Sequence, residues 1–307
     1  MAPLVTSDRA AFRRRLEALD VSLLKDIPSQ TKRGDRASLL ALHAACAERF
    51  GTFGYLEIGS HLGGSLQAVV RDERVTRIVS IDARPETTPD ERGKRIPYAG
   101  NSTQRMLDNL AALPGADLSK LQTVDADTRW LRDDLSVTPQ LCLIDGEHTN
   151  ESCLADARFC RRIAASQCAI AFHDTGIIHR AITRFLEELR DERLVTAAYP
   201  LPDSVFVVEL GAPRLHSTVS LHALLAGPEN HLDRVALGLA RRPATGPAAR
   251  VPLLRWWLSD VGAGRALLRR HVCKRVKMKR ERVSKLVKVR RRRLAKSLVR
   301  TLGRRPH

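Results

Sequence analysis

Four side chains able to hold a metal ion or move a proton fall in two short segments: Asp145 and His148 in IDGEHT, and His173 and Asp174 in FHDT. Each segment ends an apolar run that reads as a strand, Gln140–Asp145 and Gln167–Phe172. Neighbouring parallel strands lie about 5 Å apart, so the four groups can share one patch at the sheet edge. Asp145 and Asp174 are the hard oxygen ligands that suit Mg²⁺, and His173 offers a third, softer donor. A cation held there would lower the pKa of a bound hydroxyl while an imidazole such as His148 takes the proton. Asp145 and His148 are therefore the catalytic candidates, and Asp145, His173 and Asp174 the metal candidates. The plainer alternatives are that His148 caps the helix starting at Thr149 and that His173 is a buried histidine at a strand end.

A second group of residues points to a ligand rather than to a reaction. Glu57-Ile58-Gly59-Ser60-His61-Leu62-Gly63-Gly64-Ser65 leaves a short strand, and its glycines permit a tight turn and close backbone approach. Asp82 closes the next strand, where an acid can accept both hydroxyls of a ribose. Asp127 follows the third, where a carboxylate or its neighbouring backbone can meet a base edge. Open α/β sheets bind ligands at the carboxyl ends of their strands, and three successive polar strand ends there favour a nucleoside-type ligand.

The elements that must position these residues alternate regularly. Asp35–Phe50 reads as an amphipathic helix and Tyr55–Ile58 as a strand, followed by a helix around Ser65–Arg71. Arg77–Asp82 is a strand, residues 84–101 a polar loop, and Ser102–Leu113 a helix capped by Asn101 or Ser102. Leu121–Val124 is a strand, with a short helix after Asp127. Beyond Gln140–Asp145 come a helix over Thr149–Ala164, the strand Gln167–Phe172 and a helix near His179–Arg190. Repeated strand–helix units imply a parallel sheet covered on both faces. Leu194–Tyr199 and Ser204–Leu210 break the pattern, because the four residues between them cannot carry a crossover helix. These two strands must form an antiparallel hairpin.

The chain of 307 residues is long enough for one large α/β domain with appendages. We divide it into an N-terminal helical segment (1–34), the α/β domain (35–211), an irregular, partly helical extension (212–264) and a basic amphipathic helical tail (265–307). The net charge of +18 lies in that tail, which holds 19 of the 52 lysines and arginines and the single acid Glu281. The other 264 residues balance 33 bases against 33 acids. A cationic helix with a thin apolar stripe suits an anionic membrane surface. It suits nucleic acid or an acidic protein partner too, or it is simply solvated. The opening residues carry charge every few positions and do not read as a signal peptide, and no apolar run spans a bilayer. The expected location is cytoplasmic, with peripheral binding at the inner membrane surface through the tail. The six cysteines show no metal spacing and read as reduced structural thiols.

The segments LEIGSHLGGS, IVSIDARP, LCLIDGEHTNESCLADA and AIAFHDT resemble class I S-adenosylmethionine-dependent methyltransferases over about residues 50–210. They are most similar to the subgroup of macrocin-type O-methyltransferases and cephalosporin hydroxylase-like proteins. The resemblance implies a seven-stranded Rossmann-like methyltransferase sheet, mostly parallel with a C-terminal antiparallel hairpin and helices on both faces. By that likeness Glu57, Gly59, Ser60 and Gly63 frame the methionine end of S-adenosyl-L-methionine, Asp82 takes the ribose and Asp127 approaches the adenine. His61 stands where many relatives carry a glycine, and His173 where some carry a second acid. The expected reaction is methylation of a hydroxyl on a small molecule or glycan, with Mg²⁺ as an assisting ion. Two other readings stay open: a non-catalytic or membrane-associated protein on this fold, and a nicotinamide-dependent oxidoreductase. A neutral body poor in aromatics argues against a nucleic-acid substrate.

Overall fold

The computed structural model describes residues 6–226 except 134, 136 and 193. The expected extension beyond residue 226 and the basic tail at 265–307 lie outside the described residues. Helix α1 (Thr6–Glu17) packs Phe12 and Leu16 beside Leu40 and Ala44 of α2 (Arg33–Phe50). A seven-stranded sheet follows, built from β1 (Phe53–Ile58), β2 (Val75–Ile81), β5 (Leu121–Val124), β6 (Leu141–Ile144), β7 (Cys168–Phe172), β8 (Val195–Pro200) and β9 (Phe206–Leu210). Its order is β5-β2-β1-β6-β7-β9-β8. The pairs from β5 through β7 are parallel, and β9 runs antiparallel to both β7 and β8. The hairpin expected from the spacing of Leu194–Tyr199 and Ser204–Leu210 is therefore present.

The strand order reverses direction between β1 and β6, and right-handed crossovers then place helices on opposite faces of the sheet. Helix α2 contacts β1 and β6 and also α6 (Val219–Ala226), while α4 (Asn150–Ile163) packs on β6, β7 and α5 (Thr175–Asp191). All residues of β1, β6, β7 and β9 are buried, as strands covered on both faces require. Of the cap candidates Asn101 and Ser102, Ser102 is the one in place, while α4 is capped by Thr149 and not by His148. Ser102 accepts from Arg105 N at the start of α3 (Thr103–Ala111), and Thr149 accepts from Ser152 N at the start of α4. Five cysteines among the described residues are free and buried.

Two local expectations are corrected. Residues 61–71 form a succession of turns instead of a helix over Ser65–Arg71. Gly63 has φ +86°, and bonds such as Gly63 N to Ser60 O and Leu66 N to Gly63 O span three residues, so no α-helical ladder starts. The polar loop at 84–101 contains a small hairpin, β3 (Thr87–Pro89) with β4 (Arg95–Pro97). Asp90 closes its turn by accepting Arg92 N and Lys94 N, and Gly93 supplies a positive φ of 74°. Three-residue strands bounded by proline leave no readable period.

The chain also continues in order past Leu210. Buried Glu209 accepts Leu215 N, His216 N and the Tyr199 hydroxyl, which fastens a 3₁₀ turn (Leu215–Ser217) ahead of α6. Ser220 of α6 then reaches Ala41 O on α2. Among the described residues no helix is long and apolar enough to cross a membrane.

Candidate functional site

The turn after β1 is shaped by buried polar contacts. Glu57 is fully buried, and its carboxylate takes the Tyr55 hydroxyl at 2.6 Å and the Ser65 hydroxyl. Burial pushes its pKa up to about 7 against the pull of those two donors. Glu57 thus ties the strand to the far side of the turn. Gly59 has φ +89°, and a Cβ there would lie 2.2 Å from Asp145 O, so only glycine lets β1 and β6 end side by side. Ser60 shares a 2.5 Å hydrogen bond with Ser80. His61 sits at φ +44° with its ring edge-on to Tyr98 at 5.0 Å.

Asp82 lies just past β2 and accepts His61 N at 2.9 Å and Arg84 N at 2.8 Å. Its neighbour Arg84 was not singled out by the sequence. The Arg84 guanidinium, nearly buried, reaches His61 O at 2.6 Å, Asn101 Oδ1, Thr103 Oγ1 and Ser60 Oγ, pinning the turn to the Asp82 carboxylate. Asp127 caps a 3₁₀ turn (Thr128–Trp130), and its carboxylate pairs with Arg129 at 2.5 Å, which holds its pKa below the usual range. Asp156 of α4, buried and bonded to Thr128, completes this side. Ile58, Gly59, Asp82, Pro85, Thr128 and Asp156 are among the residues lining an open cleft of about 670 Å³.

A second cleft of about 560 Å³ adjoins the first and shares Gly59, His61, Tyr98 and Asp145 with it. Pro28–Gln30 form one wall, and His148, His173 and Asp174 stand on the other. Asp145, His148, His173 and Asp174 each offer a ligand atom within 4.8 Å of the rest, as their strand ends suggest. His148 Nε2 lies 3.5 Å from Asp145 Oδ1 and 3.4 Å from Asp174 Oδ2, yet it is buried with no hydrogen-bond partner among the described residues. Burial opposes charge on this imidazole, but the two carboxylates outweigh it and raise its pKa. The loop that carries His148 is held by the β3–β4 turn. Glu91 N donates to His148 O at 3.0 Å, and Glu91 Oε1 accepts Asn150 N. Asp174 has φ +52°, a left-handed conformation that aspartate tolerates.

His173, expected as a metal ligand and part of that group, also has a carboxylate beside each ring nitrogen. Its Nδ1 lies 2.8 Å from Asp145 Oδ1, and its Nε2 lies 3.3 Å from Asp35 Oδ2 and 3.3 Å from Ser204 Oγ. Burial alone would favour the neutral ring, but Asp145 and Asp35 hold its pKa well above the usual value. The same pairing, with His148 alongside, overrides burial to keep Asp145 well below its usual range. With both ring nitrogens facing carboxylates, His173 has no free lone pair to offer a cation in this arrangement. Asp35, Ser204 and Tyr98 lie outside the motifs quoted from the sequence, and Arg84, within IVSIDARP, was given no role there. For Arg84, the signal was an arginine two residues after a strand-end acid.

Residues 56–175 match a family model described as "Methyltransferase domain". Two of the solved structures similar in fold are an O-methyltransferase and a calicheamicin methyltransferase. TomG from Streptomyces achromogenes, solved with S-adenosylmethionine, is 14% identical, with 65% of this chain and 88% of that chain covered at a TM-score of 0.42. CalS11 is 16% identical, with 68% of this chain and 95% of that chain covered at a TM-score of 0.44. Comparison with curated protein sequences finds no match. The sheet order here places an antiparallel strand between β7 and β8, unlike the all-parallel 3-2-1-4-5-6 order of dinucleotide-binding sheets. Residues 56–175 thus match a methyltransferase domain, and they lie within a seven-stranded, mostly parallel sheet that closes with an antiparallel strand.

Proposed function

We propose that the chain transfers the methyl group of S-adenosylmethionine to a hydroxyl of a small molecule or glycan. The observation that carries this reading is the pair of adjoining clefts that share Gly59, His61, Tyr98 and Asp145. The first, with Asp82 at one strand end and Thr128 at the next, suits the adenosyl part of the donor. The second brings an acceptor beside the Asp145–His148–Asp174 cluster. His148, whose two neighbouring carboxylates strengthen it as a base, takes the hydroxyl proton in its neutral form as the acceptor oxygen attacks the methyl carbon. The C–O bond forms as the C–S bond breaks, and the sulfur leaves neutral. His173 holds Asp145 in place from behind, and the walls of the two clefts align oxygen, carbon and sulfur.

Asp145 and Asp174 fit a divalent cation, since their two carboxylates, hard oxygen donors, converge at the edge of the second cleft. Such an ion would acidify a neighbouring hydroxyl and offset the carboxylates' hold on the His148 proton. His173 is left out of the ligand set because it faces Asp35 and Asp145. The test is calorimetric titration of S-adenosylhomocysteine into wild type and Asp82→Asn, with Mg²⁺ titrated separately into wild type and Asp174→Asn. Micromolar or tighter donor-product binding, at least tenfold weaker in Asp82→Asn, supports the reading; no binding to wild type refutes it. Equal Mg²⁺ heats in wild type and Asp174→Asn would remove the cation from the account.

A further inference from the structure

The two clefts meet at four residues. Gly59, His61, Tyr98 and Asp145 line both of them, so these four bound the passage from one to the other. Two of them are backbone that cannot yield. A Cβ at Gly59 would lie 2.2 Å from Asp145 O, and Asp145 N is held to Ile58 O at 2.9 Å. The other two bring rings. His61 and Tyr98 meet edge-on, with centroids 5.0 Å apart and planes at 79°.

Neither ring is free to withdraw with its backbone. His61 N donates to Asp82 Oδ2 at 2.9 Å, and the Arg84 guanidinium donates to His61 O at 2.6 Å. Tyr98 N donates to Glu86 O at 2.7 Å, and Asn101 N donates to Tyr98 O at 3.1 Å. These clamps hold His61 at φ +44°, a left-handed conformation that few side chains adopt. Such strain persists where the surroundings enforce it, and it gathers at functional sites. A glycine would take the same backbone path without that cost, whereas the imidazole fills part of the passage.

In an in-line transfer the methyl carbon lies between the donor sulfur in one cleft and the acceptor oxygen in the other, and therefore in this passage. We propose that His61 and Tyr98 form a collar there that limits the transferred group to a methyl, which makes them the residues that set its size. The proposal rests on the methyl-transfer reading above and adds what the donor is allowed to carry. Packed surroundings tolerate one extra carbon poorly and a larger group less well.

The test titrates S-adenosylhomocysteine, S-adenosylmethionine and the S-ethyl and S-benzyl analogues of the donor into the full chain by calorimetry. Affinities are read as ratios to S-adenosylhomocysteine, so a general loss of binding in a variant cancels. Wild type is expected to bind the S-benzyl analogue roughly ten- to hundredfold more weakly than S-adenosylmethionine, with the S-ethyl compound between them. His61→Gly keeps both backbone hydrogen bonds and relieves the positive φ, and its S-benzyl penalty is expected to fall to about threefold or less. Tyr98→Ala is expected to lower the penalty likewise, while Tyr98→Phe, which keeps the ring, retains the wild-type ratio. Each variant is checked by circular dichroism. Failure of wild type to bind S-adenosylhomocysteine would overturn the donor reading itself. Equal affinity of wild type for the methyl and benzyl compounds would overturn the collar and leave donor binding standing. So would an unchanged penalty in folded His61→Gly or Tyr98→Ala, or a penalty lost in Tyr98→Phe. Should His61→Gly not fold, Tyr98→Ala against Tyr98→Phe decides the matter.

Discussion

Replacing Gly59 by alanine tests whether the site rests on one close backbone approach. The added Cβ would sit 2.2 Å from the Asp145 carbonyl oxygen, 2.5 Å from its carbon and 2.6 Å from Gly146 Cα. These are backbone atoms held by the Asp145 N to Ile58 O hydrogen bond of 2.9 Å, so they cannot swing aside as a side chain would. Two costs add. A residue with a Cβ at positive φ costs about 1–2 kcal/mol, and forced overlap in a packed region costs about 1–3 kcal/mol more. The sum, roughly 2–5 kcal/mol, is a large part of the roughly 5–15 kcal/mol that holds a domain folded. Gly93→Ala is the matched control, since Gly93 has φ +74° but nothing within 4 Å of its ideal Cβ. Urea unfolding followed by circular dichroism should lower the midpoint for Gly59→Ala by about 1–2 M, at a slope of about 3 kcal/mol per M. The control should fall by less than half of that. Because Asp145 would be displaced with its backbone, methyl-donor turnover should also drop by on the order of a hundredfold. Equal destabilisation of the two variants would refute the argument that contact with Asp145, and not backbone conformation, demands glycine at 59.

Other outcomes follow from buried charge. Glu57 binds its proton more tightly when folded, with a pKa of about 7 against the ordinary 4.5, so its contribution to stability falls as pH rises through that window. Glu57→Gln should therefore flatten the pH dependence of unfolding between about 4.5 and 7, by up to about 3 kcal/mol in the difference from wild type; parallel pH curves would contradict this. Asp72 is buried against His43 Nε2 at 2.8 Å and Arg74 at 2.7 Å, and these partners override burial to hold it well below its usual range. Asp72→Ala leaves His43 and Arg74 without their carboxylate and should cost about 3–5 kcal/mol in thermal unfolding; a loss under 1 kcal/mol would show that the cluster contributes little.

Much of the scaffold was legible because it is written in local periodicity. The 2- and 3.6-residue patterns marked the strands and helices, and Ser102 announced the start of α3. The four residues between the last two strand runs forced the antiparallel hairpin before any pairing was known. Asp145, His148, His173 and Asp174 were visible for a similar reason: residues just past adjacent strands must meet wherever the strands pair. What sequence could not supply is how these groups divide their partners. That His173 faces Asp35 and Asp145 depends on α2 folding over the sheet, and Asp35 is tied in turn to Ser204, 169 residues away. Arg84 locking His61 to Asp82, and Asp127 turning to Arg129 while Asp156 takes the Thr128 hydroxyl, depend on side-chain directions that no spacing encodes. The turns at 61–71 escaped because a glycine at positive φ overrides an apolar helical pattern. Spacing along the chain decides which elements form and which residues stand at their ends. Hydrogen bonds and charges are satisfied in three dimensions, so the tertiary structure alone decided which of those residues are free to act.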